Sequence, residues 1–296
     1  FDVDVLDPKA VEGHFNRMGK AIIADVGPLS GKTLTHFYSV SWEGAVPTWT
    51  GAFEQDFAKY CGYALRPWLP ALAGFSVKGP DASQRFISDY RRARNDAFRD
   101  NFYGTMMALS HRHGLKWHSE SGGPWNRSPA VFGEADQLSF LGRNDMPQGE
   151  FWYTGNPERR GRQLSRPQAV AAHIYGKRLA AAEAFTHMVR HWTPYPALLK
   201  RSGDESFIDG VNQLVWHTFT CSPKEFGVPG TEYFAARTST RRSLGSSRRR
   251  RSCPISGAAS TCCGKASSWR TSAPMWATCR ISTGDGLRPT GTRRRR

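Results

Sequence analysis

The chain has 296 residues, enough for one large domain or two small ones, and 12% of them are aromatic. Its formal charge of +16 would point to a polyanion partner, but 14 Arg and one Lys against the single acid Asp285 place +14 of it beyond Ala236, leaving +2 for residues 1–236. So neutral a body excludes polyanion binding as its main task, and the chain has no run of about 20 apolar residues to cross a membrane.

The chain opens at Phe1 without an initiator methionine, on an alternating run like the end of a strand, and reads as a fragment. Apolar spacing predicts a helix from about Pro8 to Ile23, a turn at Gly27-Pro28 and a strand within Thr33 to Trp42. Gly27-Pro-Leu-Ser-Gly-Lys-Thr33 is a turn: it has one residue too few between its glycines for a phosphate loop, and a strand follows it. Phe53, Phe57 and Tyr60 share one face of a helix closed by Gly62, and Pro67 to Gly74 is a rigid connector. The longest helical pattern runs from Ser83 to His113, where His111 and His113 complement its C-terminal dipole, and a strand follows at Leu115 to His118. Gln137 to Leu141 and Gly149 to Tyr153 are short strand candidates. Ser165 is placed to cap a helix with Pro167 in its first turn, running to about Ala182. After Glu183 to Met188 come a helix near Pro196 to Gly210 and a strand from Gln213 to Phe219. Alternating strands and helices predict an α/β fold with a parallel sheet. Strand ends bearing Glu43, Glu120, Glu150 and His217 favour a TIM-type (β/α)8 barrel, incomplete in this chain.

Three glutamates stand beside aromatic residues where a strand meets a glycine-containing loop. Glu43 shares alternation with Phe37, Ser39 and Ser41, so it faces a barrel interior if those residues do; otherwise it is a solvated loop residue. Glu120, in His118-Ser-Glu-Ser-Gly-Gly-Pro-Trp125, could be an acid, a base, a clamp for sugar hydroxyls or an oxygen ligand for calcium, with Trp125 a flat face for a sugar ring. Glu150, in Gly149-Glu-Phe-Trp152, is either a desolvated catalytic carboxylate or a partner of Arg159 or Arg160. Gly-x-Ser-x-Gly and His-Glu-x-x-His motifs are absent, so serine-hydrolase and zinc-protease chemistry have no support.

Beyond Ala236 the chain has no Val, Phe, Tyr, His, Asn, Gln or Glu, and four of the six cysteines lie there at spacings that fit no zinc motif. Residues 1–236 therefore form the expected partial catalytic barrel and 237–296 a basic low-complexity tail. A shift of reading frame near codon 236 explains the tail better than a selected polyanion-binding arm, which would not carry a Cys262-Cys263 pair.

The runs Thr33 to Glu43, Gly62 to Gly74, Lys116 to Pro124, Gly149 to Trp152, Glu183 to Thr186 and Gly210 to His217 together resemble the bacterial α-L-rhamnosidases of glycoside hydrolase family 106. The resemblance implies a (β/α)8 catalytic domain of a multidomain protein that hydrolyses terminal α-L-rhamnosides with inversion. It places the family's glutamates on Glu43, Glu120 and Glu150. Resemblance and chemistry together make Glu43 the general acid, Glu150 the general base, and Glu120 the residue that holds sugar hydroxyls or a calcium ion and the reserve candidate for either catalytic role. Trp42, His118, Trp125, Trp152 and His217 are the expected sugar contacts. An Asp is expected where this chain has Val40. The rival functions are a carbohydrate-binding remnant without hydrolysis and a nucleic-acid binder acting through the tail. Inversion requires roughly 6.5–9.5 Å between acid and base.

Overall fold

The computed structural model describes residues 3–42, 48–120, 137–153, 163–188, 194–218, 223–227, 231 and 233. Glu43, Trp125, Arg159, Arg160 and the basic tail lie outside the described residues.

The chain begins with α1 (Pro8–His14) and α2 (Lys20–Val26), continuous through a π-helical turn at Phe15–Gly19. Asp7 caps α1, its carboxylate accepting from the Lys9 N–H. The turn at Gly27-Pro28 leads to β1 (His36–Ser39), shorter than the apolar run suggests. Next comes α3 (Phe53–Cys61), ended by Gly62 in the left-handed conformation (φ 79°), then a 3-10 helix at Arg66–Ala73 in place of a plain connector. The longest helix is α4 (Pro80–Ala97) and α5 (Thr105–Arg112), joined by a π-helical stretch at Phe98–Gly104. After β2 (Lys116–Ser119) come α6 (Gln137–Leu141), β3 (Met146–Trp152), the two-residue β4 (Gln163–Leu164), α7 (Arg166–Ile174), β5 (Ala181–Thr186), α8 (Pro196–Ile208) and β6 (Gln213–Trp216).

The sheet order is β1-β2-β3-β5-β6, all parallel, with β4 antiparallel on β3. Strands follow one another without reversal, so the sheet is wound in one direction and forms an open half-barrel with its helices on the outer face. The register shows which residues point outward. Phe37 and Trp117 are aligned neighbours that pack into a core with Phe57, Phe86, Phe98 and Tyr103 from the helices. Farther along, Phe151, Ala182, Ala184 and Trp216 form a second core with Leu199 of α8. Residues of opposite parity therefore face the interior: Tyr38, His118, Gln148, Glu150 and Glu183.

Two predicted elements are overturned. Gln137–Leu141 is a helix, because Phe140 and Leu141 are adjacent and both buried, whereas a strand would send them to opposite faces. The Asn144 amide donates to the carbonyls of Phe140 and Leu141, and its oxygen accepts from Ser119 at 2.7 Å, tying α6 to β2. The helix predicted to reach Ala182 stops at Ile174. Gly176 is left-handed (φ 63°), and the Lys177 and Gly176 N–H groups close back on Ala172 and His173 in a Schellman turn. Ser165 stands at the start of α7 without capping it; its hydroxyl donates to Asp209, which also pairs with Arg166 at 2.9 Å.

The π-helical stretch carries a charged network. Burial raises the Asp100 carboxyl, but hydrogen bonds from Arg99, Arg143 and Tyr60 outweigh it and hold the group well below the usual carboxylate range. Packing of α6 on α7 is close at Gly142, where an added Cβ would lie 2.6 Å from the Tyr175 ring. The Tyr175 ring is exposed and can swing aside, so Gly142→Ala is expected to cost about 0.5 kcal/mol or less in urea unfolding; a larger loss would show that the ring is held in place.

Candidate active site

Six interior side chains, Tyr38, His118, Glu120, Gln148, Glu150 and Glu183, gather toward the C-terminal ends of β1, β2, β3 and β5, the end where parallel α/β sheets carry their chemistry. Glu120 follows β2 directly and is buried, its Oε1 accepting from the Tyr38 hydroxyl at 2.7 Å and from the Gln148 amide. With its nitrogen turned to Glu120 and Tyr38, Gln148 presents its oxygen to Nε2 of His118, which must donate. The His118 ring also lies 4.6 Å from that of Tyr38.

The electrostatics follow from burial. Desolvation, with a contribution from the Glu183 charge, pushes the Glu120 carboxyl up to about 7 against opposing hydrogen bonds from Tyr38, Gln148 and Ser41. Desolvation lowers His118 to about 4, so the ring is neutral at ordinary pH. Burial and the Glu120 charge raise the Tyr38 hydroxyl far above its usual value.

Glu150 and Glu183 occupy aligned positions on β3 and β5, so two carboxylates stand side by side about 5 Å apart at the backbone. Glu150 is buried; Glu183 is partly exposed. Oε1 of Glu183 accepts from the Thr186 hydroxyl and lies 3.3 Å from Nδ1 of His217, which follows β6. A β-bulge makes this possible. Opposite the Phe151-Trp152 step, β5 takes one extra residue, Phe185, at φ 68°. That left-handed conformation costs a non-glycine residue on the order of 1–3 kcal/mol. It turns the Phe185 ring outward, 4.9 Å from Phe151 and 4.7 Å from Trp216, and returns Thr186 to the interior beside Trp152.

Glu120, Glu150, His118, Trp152 and His217 lie on this interior face of the sheet. Trp42 is not with them: its indole packs edge-on against Phe98 and Phe102 in the first core. β1 ends at Ser39 and points Phe37 outward and Tyr38 inward, so the face shared by Phe37 and Ser39 is not the interior one. His111 pairs with Asp145 at 2.8 Å and His113 stacks on Phe15, so both have side-chain partners beyond the helix dipole. Tyr38, Gln148, Glu183 and Thr186 escaped the sequence reading as site residues.

A calcium ion at Glu120 needs a cluster of oxygen ligands. Instead, two donors turn their hydrogens onto Oε1, and among the described residues no group of three or more His, Cys, Asp or Glu side chains could hold a metal. Nor, among them, is any helix long and apolar enough to cross a membrane.

Residues 1–244 match the family model described as alpha-L-rhamnosidase, glycoside hydrolase family 106. A Formosa agariphila protein named "Putative beta-glucuronidase" is 30% identical over 224 residues, covering 75% of this chain and 18% of that protein. The structure of a rhamnosidase from Novosphingobium sp. PP1Y superposes with a TM-score of 0.75 at 28% identity, over 90% of this chain and 25% of that one. The chain spans a quarter or less of the length of these two relatives.

Proposed function

The chain belongs to glycoside hydrolase family 106, the α-L-rhamnosidases, and on that premise we propose that it carries the carboxylate centre at which a terminal α-L-rhamnoside is hydrolysed with inversion. The observation that carries this reading is the row of Glu120, Glu150 and Glu183 on the interior face of three neighbouring parallel strands, at their C-terminal ends. On this reading the five parallel strands belong to a (β/α)8 barrel.

Hydrolysis with inversion needs one group to protonate the leaving oxygen and another to deprotonate a water on the opposite face of the sugar. Family resemblance and chemistry together give the acid to Glu43 and the base to Glu150. The geometry favours Glu183 as the base: it neighbours Glu150, is more open to solvent, and is held by Thr186 and His217. Glu150 then grips a sugar hydroxyl beside it. Glu120, which keeps its proton to about pH 7, can donate a hydrogen bond to a second hydroxyl.

Among the described residues a glucuronide is disfavoured by charge: its carboxylate would enter beside Glu150 and Glu183, and Tyr38, Gln148 and His217 around them offer no fixed cation. The chain should therefore cleave an aryl α-L-rhamnoside and release β-L-rhamnose first, seen by proton NMR, while leaving an aryl β-D-glucuronide intact. Preference for the glucuronide overturns the substrate; L-rhamnose binding without cleavage of either substrate would instead make the chain a carbohydrate-binding remnant.

A further inference from the structure

The bulge in β5 places a hydroxyl where regular alternation would place a phenyl ring. In an unbroken strand Phe185 would share the interior face with Glu183, and Thr186 would point to the helices. With Phe185 at φ 68° the order is exchanged: its ring joins Phe151, Leu199 and Trp216 in the outer core, and Thr186 is buried on the interior side. The Thr186 hydroxyl has a single hydrogen, and it goes to Oε1 of Glu183. The same oxygen lies 3.1 Å from Nδ1 of His217, so in that contact the imidazole is the donor. Nδ1 also faces the Glu183 carboxylate at 3.3 Å, a second acceptor. Both neighbours therefore require the ring proton on Nδ1, which makes Nε2 the acceptor nitrogen of the neutral ring. Tyr233 stands edge-on to that ring, 5.3 Å away.

We propose that Thr186 is a positioning residue for hydrolysis: presented to the interior by the bulge at Phe185, its hydroxyl orients the Glu183 carboxylate and fixes the His217 proton on Nδ1, which makes Nε2 the acceptor nitrogen of the ring. The role rests on the hydrolase reading above. Phe185 acts only through the backbone it bends, and Thr186 only through the two side chains it holds.

The test compares Thr186→Val, which is nearly isosteric but cannot donate, with Thr186→Ser, which can. Nitrogen-15 NMR of the histidine rings at a pH where His217 is neutral should show the wild-type proton on Nδ1. That preference should be retained in Thr186→Ser and lost to a tautomer mixture in Thr186→Val, because the Glu183 carboxylate, no longer held by the hydroxyl, turns away from Nδ1. With an aryl α-L-rhamnoside, Thr186→Val should lower kcat about tenfold with KM nearly unchanged, and Thr186→Ser should restore most of the rate. A wild-type ring protonated on Nε2, or a Thr186→Val ring still fixed on Nδ1, overturns the proposal. If Thr186→Val does not fold, the wild-type and Thr186→Ser rings still decide. A wild-type chain that cleaves no rhamnoside refutes the hydrolase reading instead, and the tautomer result stands apart from it.

Discussion

Glu183→Gln is expected to lower kcat/KM toward an aryl α-L-rhamnoside by about a thousandfold, the effect of removing a general base that must take a proton from water in the transition state. The substitution keeps the shape of the side chain and its acceptor oxygen for Thr186 and His217, so the loss reports proton transfer rather than collapse of the strand end. Azide needs no deprotonation to attack. It should restore turnover in Glu183→Gln and leave the wild type unaffected. Glu150→Gln, which removes a charge but keeps a hydrogen-bonding group, should lose about tenfold and show no rescue. The reverse pattern, with azide rescuing Glu150→Gln alone, would return the base to Glu150.

The second large effect is on stability, and it has opposite signs at two buried groups linked by Gln148. Glu120 ionises near its usual 4.5 in the unfolded chain but near 7 in the fold. Between those values the folded chain holds a proton that the unfolded chain has lost, so this group's contribution falls by roughly 3 kcal/mol as pH rises from 4.5 to 7. His118 does the reverse. It binds its proton below about 6.5 when unfolded and only below about 4 when folded, so its contribution grows by roughly 3 kcal/mol as pH rises from 4 to 6.5. In the wild type the two slopes nearly cancel, because the folded site is neutral at both groups where the unfolded chain carries both charges. Each single substitution should expose the other slope. Relative to wild type, Glu120→Gln should gain stability as pH rises from 4.5 to 7, and His118→Asn should lose stability as pH rises from 4 to 6.5. Denaturant melts across this range decide it; parallel curves for all three proteins would mean that neither group is buried as described.

Much of the site could be read from the chain because certain residues announce strand ends. Gly114 before β2, Gly149 within β3 and the aromatics around Glu120, Glu150 and His217 mark places where a strand ends among bulky side chains, and all three residues reach one interior face. What failed was decided by tertiary packing. Ala180-Ala-Ala-Glu-Ala184 has the local preference of a helix, yet it is mainly a strand, because small side chains fit between the sheet and α8. Glu183 stands just past the end expected for that helix, and Thr186 was hidden by a bulge that breaks alternation. Alternation alone also leaves open which face of a strand points inward: in β1 it separates Phe37 from Tyr38, but only the helices packed on Phe37 show that Tyr38 belongs to the site. Trp42 follows the end of β1, where the two-residue period no longer applies, and it packs with the helices.

The claim that joins these observations is that a rhamnosyl ring sits over the carboxylate row at the C-terminal ends of β2, β3 and β5. Titrating isotopically labelled chain with L-rhamnose while recording side-chain and amide NMR signals tests it directly. The account predicts saturable shifts centred on Tyr38, His118, Gln148, Glu183 and His217, weakened by Glu150→Gln and not reproduced by D-glucuronate. Saturable shifts elsewhere on the chain, with these five unmoved, would contradict it.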